Sequence, residues 1–134
     1  MWTTGSPVRT PIGPHTLVQS VSATIPNISL DDKWLVEEGR VMINGTQAIA
    51  RVLLAQKALD EKAGLRTAGY ISGYRGSPLG NVDNTLWSIK KRLAAADITF
   101  VPGVNEDMAA KAVRGTQQID AVPDPLYDGV FGAW

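Results

Sequence analysis

Two short stretches of this sequence combine residue types at spacings that suit chemistry. The first, Gly73-Tyr74-Arg75-Gly76-Ser77-Pro78-Leu79-Gly80, sets a lone arginine and a serine among glycines. Glycine lets backbone approach a bound group closely, Ser77 offers a hydroxyl, and the planar fork of Arg75 suits a carboxylate or phosphate. The run is neither a dinucleotide-binding glycine fingerprint nor a P-loop, since it has no Gly-x-Gly pair and no Lys-Ser/Thr after the turn. Turn chemistry alone also accounts for Gly and Pro in a connecting loop, so both readings stay open at this point. The second stretch is Pro102-Gly103-Val104-Asn105-Glu106-Asp107, where Asn105 is placed to cap a helix that Glu106 opens. The helix macrodipole favours acids in a first turn. Glu106, however, shares the i, i+3, i+4, i+7 face with Ala109, Ala110 and Val113, which predicts an inward carboxylate. A carboxylate so placed needs a partner: a protein group, a water or a ligand.

Both stretches follow apolar runs that read as strands. Arg40 to Ile43, Ala68 to Ser72, Ile98 to Val101 and Asp128 to Phe131 recur about every 30 residues, the spacing of successive β-α units. The predicted class is α/β, a parallel sheet flanked by helices, and loops after strands are where such sheets hold ligands. Ile49, Val52, Leu53 and Leu59 predict a packing helix between a Thr46 cap and a Gly64 stop. A second helix is expected over 82–96, with Asn81 or Asp83 as cap and Leu86, Ile89 and Leu93 on its buried face. Its Lys90-Lys91-Arg92 run reads as a solvated face toward a helix C-terminus. The third helix is expected over 106–119.

Composition narrows the partners. Thirteen basic and thirteen acidic residues balance, so nothing in the charge draws nucleic acid or an anionic membrane. The absence of cysteine excludes thiolate chemistry and thiolate-held clusters from this chain. No apolar run approaches the roughly 20 residues of a membrane span, and no signal peptide is recognisable, so a cytoplasmic protein is expected. Residues 1–28 carry no acidic residue and read as a flexible N-terminal arm, with the single histidine, His15, as a polar loop residue.

The run "TAGYISGYRGSPLG", then "PGVNEDMAAKAVRGTQQ", then "YDGVFGAW", closely resembles the start of the large indolepyruvate ferredoxin oxidoreductases. These are 2-oxoacid:ferredoxin oxidoreductases that depend on thiamine diphosphate, and the resemblance spans residues 29–134. It implies the N-terminal part of a pyrimidine-binding domain, with Glu106 as the carboxyl group that hydrogen-bonds a ring nitrogen of the cofactor's aminopyrimidine and favours the tautomer that activates it. It further implies that Gly76, Ser77 and Pro78 form the turn at the substrate side of the cofactor. Arg75 stands where proline is common in that turn; it either pairs with the 2-oxoacid carboxylate or anchors the loop to a neighbouring acid. The implied reaction is oxidative decarboxylation of an aryl-pyruvate to acyl-coenzyme A with electrons passed to ferredoxin. Thiamine diphosphate's magnesium and diphosphate would be held by a diphosphate-binding domain outside this chain, 4Fe-4S clusters would lie elsewhere in a complete enzyme, and a homo-oligomer is implied.

The chain lacks the family's Gly-Asp-Gly…Asn magnesium motif and its cluster cysteines, so a fragment that is inactive alone is expected. A non-catalytic α/β interaction module that pairs with a separate diphosphate-binding partner is the alternative. A small α/β ligand domain in which Glu106 merely caps or packs is a third reading.

Overall fold

The computed structural model of the chain describes residues 28–134. The predicted N-terminal arm, with His15, lies outside the described residues except for Ile28.

The described elements run α1 (Asp32–Leu35), α2 (Gly45–Lys62), β1 (Thr67–Ile71), α3 (Asn81–Ser88), α4 (Lys90–Ala95), β2 (Ile98–Phe100), α5 (Glu106–Thr116) and β3 (Gly129–Ala133). A single 3-10 turn, Ile119–Ala121, follows α5. The three strands form an all-parallel open sheet of order β2-β1-β3, so the chain is α/β as the spacing of its apolar runs predicts. In register, Gly69 faces Ile98 on one side of β1 and Phe131 on the other. The β1 to β2 crossover goes to one edge and the β2 to β3 crossover returns past β1. Right-handed connections then place their helices on opposite faces. On one face α2, α3 and α4 bury Ala50, Leu53, Leu86, Ile89 and Leu93 against Ile71, Ile98 and Phe100. On the other lies α5, whose Val113 meets Gly132 so closely that a Cβ there would stand 2.6 Å from Val113 Cγ1.

Local chemistry sets the helix ends. Asn44 Oδ1 accepts from Gln47 N at 2.9 Å and Gln47 Oε1 accepts from Asn44 N at 3.1 Å, a capping box that starts α2 two residues before the expected Thr46. Gly64, with φ +78°, takes the left-handed conformation that stops it. The Arg51 guanidinium donates to the carbonyls of Lys33 and Val36 and ties α1 to α2.

The predicted strand Arg40 to Ile43 is not one. These four residues sit between Gly39, at φ +104°, and the Asn44 cap, with Met42 97% exposed. Among the described residues these four pair with no strand, and the β2-β1-β3 sheet is complete without them. Of the apolar face expected on α2, only Leu53 is buried; Ile49, Val52 and Leu59 remain exposed, because α2 meets the sheet through Ala50, Leu53 and Lys57. The single helix expected over 82–96 is divided at Ile89 (φ −112°, ψ 14°), although Leu86, Ile89 and Leu93 are all buried as predicted. The third helix ends at Thr116, and its expected last residue, Ile119, opens the 3-10 turn.

A candidate ligand cleft at the carboxyl ends of β1 and β3

The strand order reverses beside β1, and at that point the loops after neighbouring strands diverge and leave a crevice. Backbone hydrogen bonds continue the sheet into these loops. Ser72 N donates to Ala133 O at 3.0 Å, Val101 N to Ile71 O at 2.9 Å, and Gly103 N to Gly73 O at 2.7 Å. The last of these fastens the two chemically suggestive loops to each other. Gly103 fits because it has no Cβ: one there would lie 3.0 Å from Ala109 Cβ and 3.2 Å from Ser72 Oγ. Asn105 Oδ1 then accepts from Met108 N at 2.9 Å, which caps α5 as predicted and sets Glu106 at its first position.

The result is a cleft of about 360 Å³ between the carboxyl ends of β1 and β3 and the starts of α3 and α5. Its walls are mostly apolar, with Leu53, Ile71, Leu86 and Ala133 among them, while Ser72, Ser77, Asp83 and Glu106 supply polar groups. Among the described residues no lysine or arginine lines it. Arg75 balances the charge of Asp83 at 2.6 Å, so the exposed Glu106 carboxylate is the acid of this lining that favours a hydrogen-bond-donating occupant over an anionic one.

The 73–80 loop is a succession of tight turns. Ser77 N donates to Tyr74 O at 3.1 Å, Gly80 N to Ser77 O at 3.0 Å, and Leu79 N to Ser77 Oγ at 3.1 Å. With its oxygen accepting from Leu79, the Ser77 hydroxyl keeps its proton for another partner. A Cβ at Gly76 would collide with the Tyr74 ring, and one at Gly80 would come within 2.8 Å of Arg75 O, so two of the loop's glycines are required by close approach. Arg75 Nε donates to Asp83 Oδ2 at 2.6 Å; the Arg75 side chain is 68% exposed and that of Asp83 2%. Of the two roles the sequence left open for Arg75, its contact is the loop anchor. Asp83 Oδ1 is buried without a hydrogen-bond partner among the described residues.

Ser77 and Glu106, far apart in sequence, are thus brought to one cleft, whereas Arg75, Gly76 and Pro78 do not line it. Glu106 departs from expectation in one respect: it is exposed and its carboxylate pairs with nothing among the described residues, while Ala109 and Val113 on the same helix are buried. As the opening residue of α5 it projects past the strand ends, where nothing packs above it. Helical periodicity assigns a face only once the flanking turns are covered. Asp83, which lines the cleft and pairs with Arg75, was read from the sequence only as a possible cap. The pattern that pointed Glu106 inward is weaker here, since the i+3, i+4 and i+7 positions from Asp83 are Leu86, Trp87 and Lys90; the available signal was Arg75 eight residues earlier in the preceding loop. Ser72, 2% exposed, was also passed over, as a strand end.

The Lys90-Lys91-Arg92 run lies away from the cleft. Lys90 Nζ stands 4.5 Å from the centre of the Trp87 ring and Arg92 pairs with Asp31 at 3.2 Å. Among the described residues no group of three His, Cys, Asp or Glu side chains is placed to hold a metal ion, and no helix is long and apolar enough to cross a membrane. Compared with protein-family models, curated proteins and solved structures, the chain matches none.

Proposed function

We propose that this chain is the N-terminal, pyrimidine-side portion of an aryl-pyruvate (indolepyruvate) ferredoxin oxidoreductase of the thiamine diphosphate-dependent 2-oxoacid class. The observation that carries the reading is the convergence of Glu106 and Ser77 on one apolar-walled cleft at the carboxyl ends of a parallel sheet. The acceptor-rich lining suits an aminopyrimidine ring, which offers N–H donors and flat apolar faces. When bound, thiamine diphosphate supplies the nucleophilic carbon and electron sink on which a 2-oxoacid loses carbon dioxide. The balanced reaction converts 2-oxoacid, coenzyme A and two oxidised ferredoxins to acyl-coenzyme A, carbon dioxide, two reduced ferredoxins and a proton.

The chain's own residues have defined tasks in this reading. Glu106 holds and returns a proton at the pyrimidine ring nitrogen, Ser77 donates its free hydroxyl proton toward the reacting end, and Leu53, Ile71 and Leu86 keep water from the ring. Arg75 holds the turn of Gly76, Ser77 and Pro78 in place through Asp83. Diphosphate, magnesium and 4Fe-4S clusters belong to other parts of a complete enzyme. Leu79, Val104, Met108 and Trp134 are exposed around the loops and strand ends, an apolar rim suited to a covering domain or second subunit.

The same rim supports a second reading, an interaction module that pairs with a diphosphate-binding partner and does no chemistry. Mixing the chain with the family's diphosphate-binding and cluster-bearing domains separates the two. Thiamine-, coenzyme A- and aryl-pyruvate-dependent reduction of ferredoxin supports the enzyme portion, and stable association without reduction supports the module.

A further inference from the structure

A groove of about 790 Å³ lies where α1 meets the junction of α3 and α4, and it shares no lining residue with the cleft at the strand ends. Its charged groups are Lys33, Lys90, Lys91 and Arg92 against one acid, Asp31. Asp31 is taken by Arg92 at 3.2 Å, and among the described residues none of the three lysines pairs with a carboxylate. Flat rings brace two of them: Lys90 Nζ stands 4.5 Å from the centre of the Trp87 ring and Lys33 Nζ 5.9 Å from that of Trp34, and both indoles line the groove. The division of the helix at Ile89 also weakens the ordinary explanation for the basic run. Lys90, Lys91 and Arg92 stand at the junction of two short helices and not in the last turn of a long one, so the macrodipole gives them little support. In a chain whose charges balance overall, three such lysines around one concavity repel one another and attract an anion.

We infer that this groove binds the di- or oligophosphate group of a small molecule, with Lys33, Lys90 and Lys91 as its cations. Lysine recognises phosphate as a point charge, and three of them match a group with two or more negative charges better than a single carboxylate. Because lysines already lie against the two indole rings, charge and not ring stacking supplies the recognition. A chain with no net charge has no extended field to hold a long polyanion, which favours a compact ligand over a nucleic acid. The inference does not rest on the thiamine reading, which places its ligand in the cleft.

Amide chemical-shift titration of the full chain at constant ionic strength tests it, with pyrophosphate, ADP and adenosine as probes. Pyrophosphate and ADP are expected to produce saturable shifts around residues 30–34 and 85–94, and adenosine none. Replacing both Lys90→Ala and Lys91→Ala, two exposed positions, is expected to weaken pyrophosphate about tenfold with an unchanged circular dichroism spectrum. Lys111→Ala, which removes an exposed cation on α5, is expected to leave the affinity as it was. The inference is overturned by adenosine binding as well as ADP, by pyrophosphate giving no saturable shift up to about 10 mM, or by the double variant keeping the unaltered affinity. Equal weakening in Lys111→Ala overturns it too, since the attraction would then belong to no particular place. A hexaglutamate peptide binding more tightly than pyrophosphate would assign the groove to an acidic protein segment and equally overturn it.

Discussion

Arg75 Nε donates to Asp83 Oδ2 at 2.6 Å, joining an exposed guanidinium in the loop after β1 to an almost fully buried carboxylate in the first turn of α3. This contact fixes the turn that carries Ser77 and orients an acid into the cleft. Because Asp83 is desolvated and Arg75 is not, the pair is asymmetric: losing the arginine leaves a buried charge unmatched, whereas losing the aspartate frees a solvated cation. Arg75→Ala should therefore lower stability by about 2 kcal/mol in urea unfolding, and Arg75→Lys by less, since an ammonium restores the charge without the planar fork. Unchanged unfolding midpoints for Arg75→Ala would show that the anchor contributes nothing.

Lys57 is the other buried ion among the described residues, with a side chain 5% exposed. Its Nζ donates to Thr67 O at 2.5 Å and lies 3.3 Å from Asp97 Oδ2 and 3.6 Å from Glu61 Oε1. Both acids are half-exposed or more and regain water if the lysine is removed; the Thr67 carbonyl and the packed stem do not recover. Lys57→Ala should cost about 2 kcal/mol in the same assay and Lys57→Met less, because methionine keeps the stem volume. Equal losses for the two variants would assign the effect to the charge and contradict this division.

Gly69 occupies the middle of the central strand, where a Cβ would lie 2.7 Å from the Phe131 ring and 3.0 Å from Ile98 Cγ1. Gly69→Ala should destabilise by about 1–3 kcal/mol through overpacking, despite alanine's lower entropy cost of ordering. Neutral or increased stability would mean that Phe131 moves aside freely.

Glu37 illustrates pH dependence at the surface. The hydrogen bond from Lys62, 2.8 Å away, and then the attraction of its ammonium hold the Glu37 carboxyl below its ordinary value of 4.5. A depressed folded-state value means stability present above the ordinary value and lost as pH falls through the folded one. The stability difference between the unaltered protein and Glu37→Gln should therefore be small and positive at neutral pH, vanish in strong acid, and shrink with added salt. A difference that grows on acidification has the wrong sign for this pair.

How far these features were legible varies with their physical origin. The three strands, the parallel class, the Asn105 cap and the Gly64 stop follow from local patterns, so they could be read directly. Arg40 to Ile43 shows the limit: the residues have strand-forming character, but whether such a run reaches and pairs with a sheet edge is decided by tertiary structure, and this one leads into the Asn44 cap instead. Exposure failed similarly at Glu106 and along Ile49, Val52 and Leu59, because periodicity gives a face and tertiary packing decides whether anything covers it. Ser77 and Glu106 were legible as candidates because they sit in loops after strands. Asp83 was legible only as a possible cap, because its i+7 position is Lys90 and its burial depends on Arg75 folding back from the preceding loop.

The central claim is the proposed role of Glu106, in which its carboxyl group exchanges a proton with a pyrimidine nitrogen. The most direct test is ferredoxin reduction driven by an aryl-pyruvate in the complete, thiamine-loaded enzyme containing this segment, compared with its Glu106→Gln variant. An amide keeps the shape but cannot hold or return that proton, so turnover should fall by about 100-fold or more while the fold is retained. Turnover within a few-fold of the unaltered enzyme would reduce Glu106 to a residue that merely opens α5, and would contradict the account.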